Sequence, residues 1–123
     1  MRRPPTVLVV DDDPDVLSAT CAIVEELGYA AVAARGGQEA LLIVRRNPSV
    51  SVLFTDIMMP GMDGWHLGRR AKEIRPDLSV IYTTGFSRVP APNGGALGFG
   101  PLLPKPWRPT QLHALLKHAV RED

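Results

Sequence analysis

The residues with chemistry to offer stand at the ends of apolar runs. Residues 6–10 are a continuous, largely β-branched stretch that leads into Asp11, Asp12 and Asp13. Residues 50–55 form a similar stretch ending at Asp56, residues 78–83 lead to Thr84, and Leu102-Leu103 comes just before Lys105. If these runs are parallel strands of one sheet, their carboxyl ends share an edge, and three carboxylates meet there beside an amine and a hydroxyl. Two carboxylates ~4 Å apart repel by about 4 kcal/mol at an effective dielectric of 20. A cluster of this kind either holds protons or takes up a cation. An all-oxygen, solvent-open set of ligands suits Mg²⁺, which keeps several waters and often joins substrate phosphates. Lysine and threonine then complete a pocket for a tetrahedral anion. This combination favours phosphoryl transfer, in which catalysis is mostly positioning and charge neutralisation.

The elements that must hold these groups alternate along the whole chain. The run at 6–10 reads as a strand buried on both faces. Asp13-Pro14 is an N-cap followed by proline at the first helical position. Val16, Ala19, Thr20, Ile23, Val24 and Leu27 then recur at helical spacing until Gly28 closes the helix. A short strand is predicted over 29–34, broken by Gly36-Gly37. A second helix with Ala40, Leu41, Ile43 and Val44 inward stops near Asn47-Pro48. After the strand at 50–55 comes a loop over 58–64. A third helix, lined by Trp65, Leu67, Gly68, Ala71 and Ile74, ends at Pro76, and the strand at 78–83 follows. Over 85–106 the pattern weakens. A fourth helix is due there, yet Pro90, Pro92, Gly94, Gly95, Gly98 and Gly100 interrupt it. Each internal glycine costs ~1 kcal/mol and each internal proline ~3 kcal/mol in a helix, so this helix is expected to be short or irregular. Leu102-Leu103 marks a brief fifth strand. Beyond Pro109, the residues Leu112, Leu115, Leu116 and Ala119 give an amphipathic last helix.

Five strands alternating with helices predict an α/β fold, a doubly wound parallel sheet with helices on both faces. Ligands of such sheets bind beyond the carboxyl ends of the strands. A single domain over 1–123, with its core at about 6–120 and no output domain, is the expected organisation. A chain of this size hides roughly 65% of its unfolded surface, enough for a core without metal or disulfide staples. The apolar content of 45% and charged content of 22% are those of an ordinary globular protein. A net charge of +1 gives no electrostatic reason to expect nucleic acid or a membrane surface as partner. No apolar stretch is long enough to span a bilayer, and the N-terminus lacks a secretory apolar segment. The single cysteine, Cys21, has no internal partner and suits a reducing compartment. A cytoplasmic location is expected.

Four segments, in order, carry a resemblance: Val7-Leu-Val-Val-Asp-Asp-Asp13, Leu53-Phe-Thr-Asp-Ile-Met-Met-Pro-Gly-Met-Asp-Gly64, Tyr82-Thr-Thr-Gly85 and Leu103-Pro-Lys-Pro106. Together they resemble the successive motifs of response-regulator receiver domains of two-component signalling, from about residue 6 to 120. The resemblance implies a flavodoxin-like (βα)5 fold with strand order 2-1-3-4-5. It implies that Asp56 accepts a phosphoryl group from the phosphohistidine of a sensor histidine kinase or a histidine phosphotransfer protein. It further implies that Asp11, Asp12, Asp56 and the Met58 backbone carbonyl hold Mg²⁺. Lys105 would pair with a phosphoryl oxygen, and its bond to Pro106 would be cis. Thr84 would donate its hydroxyl to the phosphoryl group. Output would pass to a downstream protein target, and a homodimer through the last helix is compatible with the pattern.

Three positions depart from that family. The aromatic residue usual three positions before the lysine is replaced by Leu102, which points to an order–disorder shift of residues 86–100 in place of a ring flip. Met58 and Phe86 flank the phosphoryl site with apolar side chains where polar ones help to orient a hydrolytic water, so slow self-dephosphorylation is expected. Other conspicuous residues read more simply. Asp13 is a helix cap, Asp63-Gly64 a turn into the third helix, and Thr83 faces away from Thr84 by strand alternation. His66, His113 and His118 are surface residues, and Trp65 and Trp107 serve packing or partner contact. Two other functions compete. A phosphohydrolase with an aspartate nucleophile would place a second acid where Met58 stands, and would need a cap domain for substrate selection. A receiver-like module that binds its partner without phosphorylation is the other, kept open by the irregular fourth helix.

Overall fold

The computed structural model describes residues 5–85 and 98–120. The expected alternation is observed in the order β1 (Thr6–Val10), α1 (Pro14–Glu26), β2 (Ala30–Ala34), α2 (Gly37–Arg46), β3 (Val50–Asp56), α3 (Gly64–Ile74), β4 (Ser79–Thr84), β5 (Leu102–Pro104) and α4 (Pro109–Val120). The five strands form one sheet in the order β2-β1-β3-β4-β5, and every neighbouring pair is parallel. The sheet is therefore the doubly wound one expected. Phe86 and most of the segment 86–100, within the stretch 85–106 where a fourth helix and an order–disorder shift are expected, lie outside the described residues; Gly98, Phe99 and Gly100, which are described, are irregular.

Strand alternation divides the core between the two faces. Leu8, Val10, Leu53, Val80 and Tyr82 point to one face and pack with Ala40, Leu41 and Val44 of α2 and Leu67 and Ala71 of α3. Val7, Val9, Val52, Phe54, Ile81 and Leu103 point to the other, against Leu17 and Val24 of α1 and Leu112 and Leu116 of α4. β1 is buried along its whole length, which is why it reads as an uninterrupted apolar run.

The helix ends follow local chemistry. The Asp13 carboxylate caps α1, accepting from the amides of Asp15 at 2.9 Å and Val16 at 3.3 Å. Asp63 caps α3 by accepting from the His66 amide at 2.8 Å. Both match the cap and turn expected of them. At the far end of α3, the Lys72 ammonium donates to the carbonyls of Pro76 and Leu78, at 2.7 and 2.9 Å.

Two expectations need correction. The inward stripe of α1 is rotated by about one residue from that predicted: Leu17 is in the core and Ala19 is exposed. Stripes starting at 16 and at 17 share Thr20, Val24 and Leu27, so spacing alone does not separate them. The position of β1 and β3 beneath the helix does. His113 is half-buried rather than on the surface, its ring meeting Tyr29 edge-on at 6.2 Å. Trp65 and Trp107 are packing residues, as expected, the first against Tyr82 at 4.4 Å and the second against Phe54 at 5.8 Å.

Candidate functional site

The carboxyl ends of β1, β3, β4 and β5 bring the sequence-predicted groups to one edge. Asp11 follows β1 directly, and its amide donates to the Ala34 carbonyl at 3.2 Å, so β2 anchors it. Asp56 is the last residue of β3, in register with Thr83 of β4. Lys105 follows β5 directly, and its amide donates to the Thr84 carbonyl at 2.8 Å. The Lys105-Pro106 bond is cis, as expected.

The carboxylates of Asp11, Asp12 and Asp56 offer oxygens that all lie within 4.8 Å of one another. Asp11 and Asp56 are buried and Asp12 is exposed, so the cluster opens to solvent on one side only. The Lys105 ammonium bridges the two buried acids, 3.0 Å from Asp56 Oδ2 and 3.3 Å from Asp11 Oδ2. Burial presses that ammonium toward its neutral form. Hydrogen bonding and charge from Asp56, and then from Asp11, outweigh the burial and hold its pKa above the usual lysine value. The remaining Asp56 oxygen, Oδ1, accepts from the Met58 amide at 3.0 Å, and Asp11 Oδ1 accepts from the Asp13 amide at 2.9 Å. Each buried carboxylate is thus oriented by one backbone donor and one shared ammonium. Three carboxylates against one ammonium leave two negative charges in excess, a balance that fits a divalent cation of the hard, oxygen-seeking kind.

The loop after β3 is shaped to keep this edge accessible. Met58 is 39% exposed, and its backbone turns back toward Asp56. Gly64 donates its amide to the Ile57 carbonyl at 2.8 Å, and any Cβ there would run into the backbone of Asp56 and Ile57. Only glycine allows α3 to start so close to the acid. Thr84 is buried at the end of β4, on the Tyr82 side of the sheet. Leu102, the position of the missing aromatic residue, is 41% exposed on the edge strand.

The partners of three hydroxyls are not legible in the sequence. Thr55 donates to the Asp56 carbonyl at 2.9 Å, Thr83 donates to the Leu103 carbonyl at 2.7 Å, and the Tyr82 hydroxyl accepts from the Phe99 amide at 3.0 Å. Alternation predicts the face to which Thr83 points, opposite to Thr84. It has no signal for which carbonyl the hydroxyl finds.

Comparison with known proteins agrees with this geometry. The family model for the response regulator receiver domain matches residues 7–117. Response regulator receiver protein CpdR of Brucella abortus (strain 2308) is 40% identical over 83 residues, covering 68% of this chain and 68% of that protein. Sensor kinase CckA of the same organism is 30% identical over 123 residues, covering 96% of this chain but only 13% of that much longer protein. Among solved structures, a response regulator receiver protein from Pseudomonas putida superposes with a TM-score of 0.83 at 28% identity, covering 96% of this chain and 99% of that one. With its sheet order and its acid and lysine edge, the chain belongs to the response regulator receiver family, the phosphorelay receivers of two-component systems.

Proposed function

We propose that Asp56 is the phosphoacceptor. A carboxylate oxygen of Asp56 attacks the phosphorus of a phosphohistidine on a kinase or phosphotransfer partner, the P–N bond breaks, its electron pair stays on the imidazole nitrogen, and an acyl phosphate remains on Asp56. The observation that carries this reading is the setting of Asp56, a buried carboxylate held between the Lys105 ammonium and the Met58 amide, with the oxygens of Asp11 and Asp12 close by. Asp11, Asp12, Asp56 and the Met58 carbonyl are the groups that would hold Mg²⁺, which when bound neutralises charge on the phosphoryl oxygens. Lys105 pairs with one of those oxygens and Thr84 donates its hydroxyl to another.

The acyl phosphate adds roughly −1.5 to −2 charges at this edge. Its effect is passed on through contacts with a downstream protein target. The whole chain acts as one receiver unit, with turnover confined to its own phosphoryl group, in the cytoplasm. Among the described residues no helix is long and apolar enough to cross a membrane. Mass spectrometry after incubation with acetyl phosphate and Mg²⁺ tests the proposal. One phosphoryl adduct is expected on the parent and none on Asp56→Ala; an adduct on both would overturn the assignment.

A further inference from the structure

The amine and the acid that face each other across this edge belong to strands that are not neighbours. β3 carries Asp56, β5 leads into Lys105, and β4 lies between them. The Thr84 carbonyl of β4 accepts from the Lys105 amide at 2.8 Å, and Thr83 beside it reaches toward both strands. The Thr83 carbonyl accepts from the Ile57 amide at 2.9 Å, immediately after Asp56. The Thr83 hydroxyl donates to the Leu103 carbonyl at 2.7 Å, two residues before Lys105. The first bond is ordinary sheet geometry, open to any residue. The second requires a hydroxyl at this position, and Thr83 is only 4% exposed, so water is a poor substitute.

β5 needs such a tether. It is three residues long, lies at the sheet edge and ends in Pro104, which has no amide to give. A cavity of about 10 Å³, room for about one water, lies beside Lys105 and is bounded also by Asp11, Thr20, Thr83 and Trp107. The ion pairs with Asp56 and Asp11 hold the ammonium only where the backbone on which it is mounted brings it within their reach. We propose that Thr83 is a positioning residue for phosphoryl transfer, its hydroxyl fixing the end of β5 so that Lys105 reaches Asp56. The inference rests on the phosphoacceptor reading of Asp56 and extends it to a residue that does not touch the reacting atoms.

Thr83→Val keeps the side-chain shape and removes the donor, while Thr83→Ser keeps the donor. The probes are Mg²⁺ alone and beryllofluoride with Mg²⁺, a stand-in for the bound phosphoryl group, both followed by tryptophan fluorescence. Thr83→Val is expected to bind beryllofluoride about tenfold more weakly, the equivalent of ~1.4 kcal/mol. Its Mg²⁺ affinity is expected to stay within about twofold of the parent, because the three carboxylates keep their places. Thr83→Ser is expected to restore beryllofluoride binding. Parental beryllofluoride binding in Thr83→Val overturns the proposal, and so does an equal loss of both ligands, which would mean that the whole edge had loosened. A parent that takes up no beryllofluoride would count against the phosphoacceptor reading instead. The positioning role is then decided by urea unfolding of Thr83→Val, Lys105→Met and the double variant: non-additive effects support the tether and additive effects overturn it.

Discussion

At the scale of single residues, the ammonium of Lys105 governs the balance of this edge. Its pKa is held above the ordinary lysine value by Asp56 and Asp11 against the opposing effect of burial. For a cationic group with a raised folded-state pKa, the stabilisation is complete below the unfolded value, near 10.4, and disappears as pH rises through the folded value. Urea unfolding of the parent and of Lys105→Met should therefore show a stability gap that is constant from neutral pH to about pH 10 and closes at higher pH. A gap that closed on the acid side instead would contradict this pairing. On the proposed reading of Asp56, Met58 would bear on the lifetime of the acyl phosphate. Its backbone amide meets the Asp56 carboxylate, and its exposed side chain has no polar group to offer a water. Met58→Asn is expected to lose a radioactive phosphoryl label several times faster than the parent, and equal decay would remove Met58 from the account. Asp11, Asp12, Asp56 and Lys105 were all legible in the sequence, because each stands where an apolar run stops. That Lys105 bridges to Asp11 as well as Asp56 was not legible. The choice of partner depends on how far β5 extends past β4, which no spacing along the chain records.

At the scale of elements, caps and close approaches decide the geometry. Asp13 sits in a run of three acids, and composition alone would allow it to bind metal. Its carboxylate is instead committed to the first turn of α1. Asp13→Ala should lower stability by ~1 kcal/mol while leaving Mg²⁺ affinity as in the parent, whereas Asp12→Asn should do the reverse. Equilibrium unfolding paired with a metal titration separates the two. In α3, a Cβ on Gly68 would run into the Tyr82 hydroxyl, which itself accepts from the Phe99 amide. Overpacking of this kind costs ~1–3 kcal/mol, so Gly68→Ala should shift the urea midpoint downward. Tyr82→Phe should recover part of the loss, a coupling that additive behaviour would refute. The existence and order of the elements were legible because strands buried on both faces and helices with one apolar stripe have different periods. The rotation of α1 was not, since two stripes with shared members fit the same residues, and only the sheet beneath selects Leu17 over Ala19.

At the scale of the whole molecule, the proposed cation would link the site to the fold. The three carboxylates stand at the ends of β1 and β3, neighbours in the sheet, and the single Lys105 ammonium offsets only part of their mutual repulsion. Binding to the folded state alone stabilises it by mass action, by about 2.7 kcal/mol at a hundredfold excess over Kd. Thermal unfolding should accordingly move upward with added Mg²⁺ in the parent and much less in Asp12→Asn; identical shifts would place the ion elsewhere. The sheet margin formed by β5 has a consequence of another kind. A long, bare border strand invites foreign chains to zip onto its unpaired amides and so seeds aggregates. Here the border is cut to three residues and closed by an imino acid without a hydrogen to donate. The strand that delivers the lysine is therefore a poor template for intruders along this margin of the sheet.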